Sequence, residues 1–314
     1  MIRFLIKIFL FALIFTLLTF CFNLCISKSI RNIDGTWKAI YSKQLNCDII
    51  FSGNSRSTAH FNPEIFDSIL GVKSYNIGLD GNSFESQIIR LRVYLNNNPY
   101  PKLIILNSDP FELQPTLLSN AQSYKPYMAD TTVRNQLRRI KITPWYYFNT
   151  ITRYYGDYNS AFMAIKELSG LWAQKDPHIK GFLPETHIFN QKELEILKES
   201  KAEEVYVNAY STKLLYNFIQ DCKQKNIEIL LVQTPIYIER QNKMSNLNEF
   251  TKKITEYSKM LSLNFYDFTR DSLCYSTQYF NNTTHLNAKG STILCKKICN
   301  EIKNNKDLMN KIND

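Results

Sequence analysis

The fold is decided by a short stretch near residue 50, where residues 47–55 read CDIIFSGNS. The apolar run that ends at Phe51 predicts a short strand buried on both faces of a sheet. The small polar residues that follow, ending in Ser55, predict a turn from this strand into a helix. A strand, a polar turn and a helix in this order are typical of an α/β protein with a parallel sheet.

The same alternation of strands and helices continues along the chain. Further strands are predicted over residues 72–77, 103–106, 227–232 and 263–268. Helices are predicted over residues 63–70, 84–95, 208–224, 241–261 and 288–303. Short connections between repeated strand–helix units predict an α/β fold of three layers, with helices on both faces of a mostly parallel sheet.

The stretch over residues 110–200 interrupts this alternation. It is helical in character and rich in aromatic residues, which include the run WYYF at 145–148 together with Tyr154, Tyr155, Tyr158 and Trp172. We interpret it as an insertion into the α/β domain. Its rings form either the core of a lid or a substrate platform that stacks on the faces of sugars.

The first thirty residues contain a long apolar run. Arg3 and Lys7 precede an uncharged stretch over residues 8–26. Nineteen residues at helical rise span roughly 28 Å, close to the hydrocarbon thickness of a bilayer. A cleaved signal peptide is the alternative, although its apolar region is usually about 7–15 residues and ends in small residues. We expect a membrane anchor over residues 1–27, a tether over 28–45, and one α/β domain over 46–314.

Composition excludes several classes of protein. Hydrophobic residues make up 44% of the 314 residues, which is enough to bury a core and argues against disorder. The formal net charge is +10, but the lysines are scattered rather than interleaved with aromatic residues, so no nucleic-acid partner is expected. Attraction to anionic lipid head groups or to an acidic polymer stays open. Seven widely spaced cysteines and four histidines without metal-ligand spacing predict no disulfide framework, metal or cofactor.

Two polar turns carry the residue types of nucleophilic catalysis. Ser55 follows the first strand, where a hydroxyl is exposed and backbone N–H groups can stabilise an oxyanion. A serine hydroxyl hardly ionises near neutral pH and therefore needs a base. His285 lies in the polar loop NTTHLN, residues 282–287, just before the last predicted helix. Residues 282–284 also fit an N-glycosylation acceptor.

The sequence resembles the SGNH (GDSL-type) hydrolases in four separate blocks. More closely, it looks like their membrane-anchored branch, related to the D-alanyl-transfer (DltD-like) and polysaccharide-acetylation proteins of bacterial envelopes. The blocks are GNS at 53–55, NIGLDG at 76–81, NSD at 107–109 and NTTH at 282–285. The resemblance implies an SGNH-hydrolase or flavodoxin-like fold, with Ser55 as nucleophile and His285 as base. It also implies that Gly81 and Asn107 stabilise the oxyanion.

Two positions depart from the pattern of this family. Asn282 stands where an aspartate normally orients and charges the histidine, and a neutral amide can orient the ring but cannot stabilise imidazolium. Asp109 falls where the third block normally has an asparagine, so it could instead bind the histidine or a substrate hydroxyl. Arg56, beside the serine, and Lys180 are candidates for binding an acidic group of the substrate.

The resemblance implies a membrane-anchored, extracytoplasmic serine esterase or acyltransferase. Its substrates would be acyl esters of cell-envelope or exported polysaccharide. Its partners would be this carbohydrate polymer and, through the N-terminal helix, the membrane. The alternative is a catalytically inactive relative that binds glycan or scaffolds an envelope assembly, and the two departures favour it.

Overall fold

A computed structural model describes most of the chain as two compact units. The described residues are 1–33, 35–81, 83–110, 121–139, 145–170, 178–187, 189–206 and 208–313. The smaller unit combines Met1–Lys38 with Asn120–Asp176, and the larger unit combines Ala39–Ser119 with Pro177–Asp314.

The larger unit contains a parallel sheet. Its strands, within the described residues, are β1 (Ile49–Ser52), β2 (Ser74–Asn76), β3 (Leu103–Asn107), β4 (Glu228–Gln233) and β5 (Asn264–Asp267). They lie in the order β2-β1-β3-β4-β5, and every neighbouring pair is parallel. In register, Phe51 lies opposite both Asn76 and Ile105. This is the flavodoxin-like order, and it confirms the predicted α/β fold with a parallel sheet.

The helices alternate with these strands, as the sequence predicted. In chain order they are α1 (Ile2–Ile33), α2 (Gly35–Tyr41), α3 (Ser55–His60), α4 (Pro63–Leu70), α5 (Phe84–Asn97), α6 (Thr131–Arg139), α7 (Tyr158–Leu168), α8 (Gln191–Glu199), α9 (Ala209–Gln224), α10 (Ile238–Asn242), α11 (Leu247–Met260), α12 (Ala288–Asn304) and α13 (Lys306–Asn313). The predicted helix over 241–261 is divided in two, because α10 ends at Asn242 and α11 begins at Leu247.

Local sequence explains where the helices begin and end. The Asn62 side chain accepts a hydrogen bond from the Glu64 N–H at 3.0 Å, and Pro63 occupies the first helical position of α4. That helix ends at Gly71, whose φ of 72° is left-handed. Asparagine at the start, proline next and glycine just past the end are strong helix signals. Asn287 caps α12 in the same way, through the Gly290 N–H.

The core of the larger unit lies between the sheet and its helices. Phe51 of β1 stacks on Phe61 at a centroid distance of 5.4 Å and meets Phe66 edge-on at 4.6 Å. Cys295 and Cys299, one turn apart on α12, are fully buried in the same core. Burial raises the pKa of the Cys295 thiol to about 12. Both thiols therefore behave as small apolar groups.

The smaller unit contains the N-terminal helix and part of the predicted insertion. Helix α1 is long and apolar enough to cross a membrane, although a signal sequence passes the same test. Near its C-terminal end, the Ser27 and Tyr154 hydroxyls lie 2.9 Å apart. Trp37 is buried and meets Tyr124 edge-on at a centroid distance of 5.7 Å.

The two units divide the chain differently from the predicted domains. The predicted tether over 28–45 lies largely in α1 and α2. Of the predicted insertion at 110–200, residues 120–176 join α1, and residues 177–200 belong to the larger unit. Trp172 lies outside the described residues.

Candidate active site

Ser55 is the first residue of α3, directly after β1. The preceding Asn54 caps the helix, because its side-chain oxygen accepts the Arg56 N–H at 2.9 Å. Strand β1 lies between β2 and β3. The connections that leave β1 and that lead into β3 therefore run on opposite sides of this point in the sheet. A topological switch point of this kind opens a crevice at the carboxyl ends of the strands. The fold therefore places the predicted nucleophile where α/β proteins bind ligands.

The structure brings the two predicted catalytic side chains together from opposite ends of the larger unit. Ser55 Oγ lies 2.8 Å from His285 Nε2 in a partly buried position, although 230 positions separate the two residues. This is hydrogen-bond distance for a nucleophile and its general base. With Nε2 accepting from the hydroxyl, the ring carries its proton on Nδ1.

Asn282 holds the other side of the histidine ring. Its Oδ1 accepts the backbone N–H groups of Thr284 and His285, at 2.9 and 2.8 Å. Two backbone donors require the amide oxygen at this position, which fixes the orientation of the amide. The same oxygen lies 3.1 Å from His285 Nδ1, and so does Thr284 Oγ1. Asn282 thus shapes the loop and also accepts a hydrogen bond from the imidazole N–H, but it supplies no charge.

The surroundings of His285 favour its neutral form. Burial lowers the pKa of His285 below its ordinary value, and the nearby Arg56 guanidinium lowers it further. The carboxylates of Asp80, Asp109 and Glu185 act in the opposite direction and are outweighed. A neutral imidazole is the form that accepts a proton from serine.

Arg56 and Asp109, both predicted to contact substrate, form a buried ion pair beneath the site. Their side chains are separated by 3.1 Å and are 2% and 0% exposed. Arg56 also donates to Thr234 Oγ1 at 2.8 Å and to the Pro235 carbonyl at 2.9 Å. Asn107 donates to Asp109 at 2.6 Å. The cluster joins the carboxyl ends of β1, β3 and β4, and its direct roles in substrate binding stay predictions.

His60, which the sequence did not single out, supports the loop that carries His285. Its Nε2 accepts the Leu286 N–H at 2.9 Å, and its Nδ1 lies 2.9 Å from Thr234 Oγ1. His60 is completely buried, and burial together with Arg56 keeps its pKa well below the ordinary value. It is therefore neutral, with the proton on Nδ1. Its sequence context, at the end of a six-residue helix, gives no signal of this role.

Gly81, the predicted oxyanion donor, lies in the turn after β2. Its φ of 63° is left-handed, which glycine adopts without strain. In the same turn, Thr58 Oγ1 donates to Asp80 at 2.6 Å, and the Leu79 N–H donates to the Gly53 carbonyl at 3.0 Å. These bonds fasten the turn after β2 to the turn that carries Ser55. The role of Gly81 toward an oxyanion stays a prediction.

Residues 178–187 form a strap that the sequence did not predict beside the site. The Leu183 N–H donates to the Thr58 carbonyl at 2.9 Å, and the Ala288 N–H donates to the Glu185 carbonyl at 2.8 Å. Gly181 packs so closely on β2 that an added Cβ would lie 1.8 Å from the Asn76 carbonyl oxygen. Lys180, a predicted ligand for an acidic group, pairs with Asp67 at 2.5 Å.

Together these groups can perform acyl transfer through a serine nucleophile. Ser55 and its base are in contact, the base is oriented on its far side, and α3 begins at the nucleophile. Within the described ranges, no three side chains of His, Cys, Asp or Glu are grouped so that they could hold a metal ion.

Comparisons with known proteins give distant structural similarities. No model of a known protein family matches the sequence, and no curated protein sequence matches it. A protein assigned as lipolytic and of the G-D-S-L family, from Desulfitobacterium hafniense, is 10% identical with a TM-score of 0.41, over 81% of this chain and 98% of that one. A GDSL-like lipase from Bacteroides thetaiotaomicron is 13% identical with a TM-score of 0.34, over 81% and 87%.

A family two carbohydrate esterase from Clostridium thermocellum, solved as an active-site mutant, is also similar. It is 9% identical with a TM-score of 0.34, over 82% of this chain and 63% of that one. Similarities this distant carry no weight for activity or substrate. The parallel α/β fold class is therefore established by the strands themselves, and any catalytic role rests on the geometry of Ser55 and His285.

Proposed function

We propose that the chain is a serine esterase or acyltransferase that acts on acyl esters of cell-envelope or exported polysaccharide. One observation carries the proposal: Ser55 Oγ lies 2.8 Å from His285 Nε2, and Asn282 Oδ1 lies 3.1 Å from the opposite ring nitrogen. A nucleophile, a base and a group that orients the base make up the serine triad in its general form.

The reaction follows from this arrangement. Ser55 Oγ attacks the ester carbonyl while His285 Nε2 takes the hydroxyl proton. The tetrahedral oxyanion is held by the backbone N–H groups of Ser55 and Gly81, with help from the Asn107 amide. The intermediate collapses, His285 returns its proton to the departing alcohol, and an acyl group remains on Ser55. Water, or a sugar hydroxyl, then gives its proton to His285 and receives the acyl group.

The location and substrate class are proposed from different features. Helix α1 can anchor the chain in a membrane, and the resemblance to envelope hydrolases favours an extracytoplasmic site. An anchored enzyme meets acyl donors and surface polymers at the membrane, which favours transfer between them over free hydrolysis.

Fluorophosphonate labelling of the full chain tests the central step. The wild-type protein is expected to become labelled covalently, because the reagent reports a serine activated by its base. Labelling should be absent in both Ser55→Ala and His285→Ala. Ser57→Ala is the matched control, since this serine lies on the same helix two positions further on and donates to Asn76, and it should leave labelling intact.

A catalytically inactive, glycan-binding protein is the second candidate, and the neutral Asn282 favours it. A folded wild-type chain that takes up no label would support this candidate over an esterase. The choice of ester can then be tested with short and long acyl esters of p-nitrophenol beside acetylated oligosaccharides. We expect turnover of the short acyl esters and of the acetylated sugar, and its loss in Ser55→Ala.

A further inference from the structure

The smaller unit exposes an apolar surface on α7 and the segment before it. Tyr158, Phe162 and Ile165 recur at helical spacing and form a stripe along one side of α7. Their neighbours Trp145, Tyr155 and Leu168 are also exposed, and all six side chains are between 56% and 83% exposed. Large apolar side chains grouped on a surface mark an interaction site.

The opposite side of α7 packs against the end of α1. Ala161 and Ala164 contact Ile26 and Ile30 there. Asn32, five residues beyond Ser27, donates to Glu167 at 3.0 Å. The apolar run of α1 ends at Ile26, so α7 lies beside the point where the run gives way to polar residues.

Hydrogen bonds also fix where the segment before α7 lies along α1. The Asn23 amide donates to the carbonyl oxygens of Thr150 and Ile151, at 2.7 and 2.6 Å. Asn23 stands three residues before Ile26, which is about 4.5 Å along the helix axis. The segment that carries Trp145 and Tyr155 therefore reaches the last turn of the apolar run.

The polar groups around this surface are mainly basic. Lys28 and Arg31 are exposed on α1 immediately after the apolar run, and Arg138, exposed at the end of α6, lies over the Phe148 ring at 5.5 Å. Lys166 lies over the Phe162 ring at 5.2 Å. Exposed tryptophan and tyrosine rings beside basic residues, at the end of an apolar helix, are the composition of a membrane–water interface.

We propose that residues 145–168 form a collar that lies in the head-group region of the bilayer around the exit of α1. The collar inserts its exposed rings at the boundary between head groups and acyl chains, and its basic rim faces lipid phosphates. This inference rests on the proposed membrane anchor, and it is independent of the esterase activity. It also gives the aromatic insertion a lipid surface, rather than a sugar, as its ligand.

Tryptophan quenching by brominated lipids tests the collar with the full chain in liposomes. The fluorescence that brominated lipids quench in the wild type but not in Trp145→Phe comes from Trp145. We expect lipids brominated near the head-group end of their acyl chains to roughly halve this component, as for an interfacial ring. Lipids brominated near the chain ends should quench it less.

Two further variants make the test independent of any single ring. In the Trp145→Phe background, Phe162→Trp adds a probe on the collar, and Tyr275→Trp adds a matched control in the larger unit, where Tyr275 is 56% exposed. The Phe162→Trp probe should be quenched and the Tyr275→Trp control should not.

The outcomes separate the collar from the other proposals. Unquenched probes at both collar positions, in a chain that resists alkaline carbonate extraction, would overturn the collar and leave the anchor standing. A chain that carbonate extracts would overturn both. Quenching of the collar probes and the control alike would also overturn it, because contact would then not be specific to residues 145–168. Fluorophosphonate labelling of the same samples reports on Ser55 independently.

Discussion

In the proposed mechanism, the amide of Asn282 determines how strongly His285 acts as a base. Its oxygen orients the imidazole at 3.1 Å and accepts two backbone N–H groups. These donors would also hold a carboxylate in its ionised form at this position. The geometry of a charged triad is therefore already present, and only the charge is absent.

Replacing Asn282 by aspartate should increase activity. In a serine protease the opposite change costs about 10⁴ in turnover, so we expect a gain of at least about tenfold in the labelling rate. The comparison is between wild type and Asn282→Asp under the same conditions. The gain should vanish when His285→Ala is added, and an unchanged rate in the single variant would contradict the prediction.

Activity should persist to unusually low pH. His285 must be neutral to accept a proton, so labelling is fast above its pKa and is lost as pH falls through it. Burial and Arg56 lower this pKa below the ordinary value of 6.5. The midpoint of the acid limb in a plot of labelling rate against pH should therefore lie below 6.5. In Asn282→Asp the midpoint should move upward, since a negative charge favours imidazolium.

Sequence reasoning named the two side chains that the structure brings into contact, Ser55 and His285, but not the residues that support them. Ser55 and His285 stand in polar turns that residue type alone makes conspicuous. Arg56 was expected to bind an acidic group of the substrate, but it is buried against Asp109, which follows a different strand. His60 was missed for the same reason: its two partners, Thr234 and Leu286, come from distant segments.

Among the elements, α12 and its preceding loop depend on His60. Replacing His60 by leucine leaves the Leu286 N–H buried without its acceptor, which costs about 1–3 kcal/mol. We expect a lower free energy of unfolding in urea and a slower labelling rate, since the loop also carries His285. His187→Ala removes an exposed histidine instead and should change neither quantity. Unchanged labelling in a destabilised His60→Leu would limit the role of His60 to stability.

The strap over residues 178–187 should be intolerant of a side chain at Gly181. Gly181 and Gly71 both have left-handed φ, of 81° and 72°, but only Gly181 faces a close neighbour, the Asn76 carbonyl. Gly71→Ala should lower the free energy of unfolding by about 1 kcal/mol, from backbone strain alone. Gly181→Ala should cost clearly more, because the backbone must also move. Equal losses in thermal unfolding would mean that the strap adapts freely.

The order of strands and helices could be predicted because each carries a local pattern. The buried strands are short apolar runs, and most helices have an asparagine cap or a glycine stop. The strap has no periodic pattern, and its position depends on single backbone bonds such as that from Leu183 to Thr58. Such contacts join distant segments and leave no trace in local sequence.

At the scale of the whole molecule, the main feature that the sequence did not predict is the grouping of α1 with residues 120–176 in one unit. Its contacts join residues more than a hundred positions apart, as between Ser27 and Tyr154. Periodicity indicates that a segment is helical, but it does not say which other segment covers its buried side. Helix α1 was therefore predicted as an isolated anchor, whereas its last turns have protein partners.

A chain truncated to residues 34–314 should keep its nucleophile and lose order in the insertion. Truncation removes the partners of Tyr154, Ala164 and the Thr150 carbonyl, and it exposes their apolar surroundings to water. We expect Ser55 to be labelled still, since the larger unit has its own core. Limited proteolysis should cut within residues 120–176, and gel filtration should show aggregation. A monodisperse product that resists proteolysis there would contradict the prediction.

The burial of the cysteines bears on how this protein can be studied. Thiolates are the form that alkylating reagents attack. Burial raises the pKa of Cys47 and Cys274 to about 11 and that of Cys222 and Cys295 to about 12, and it raises the pKa of Cys299 as well. The other two, Cys21 and Cys25, lie on α1, where the proposed bilayer would cover them. A single cysteine introduced at an exposed position of either unit could therefore carry a spin label or a fluorophore without removal of the native thiols.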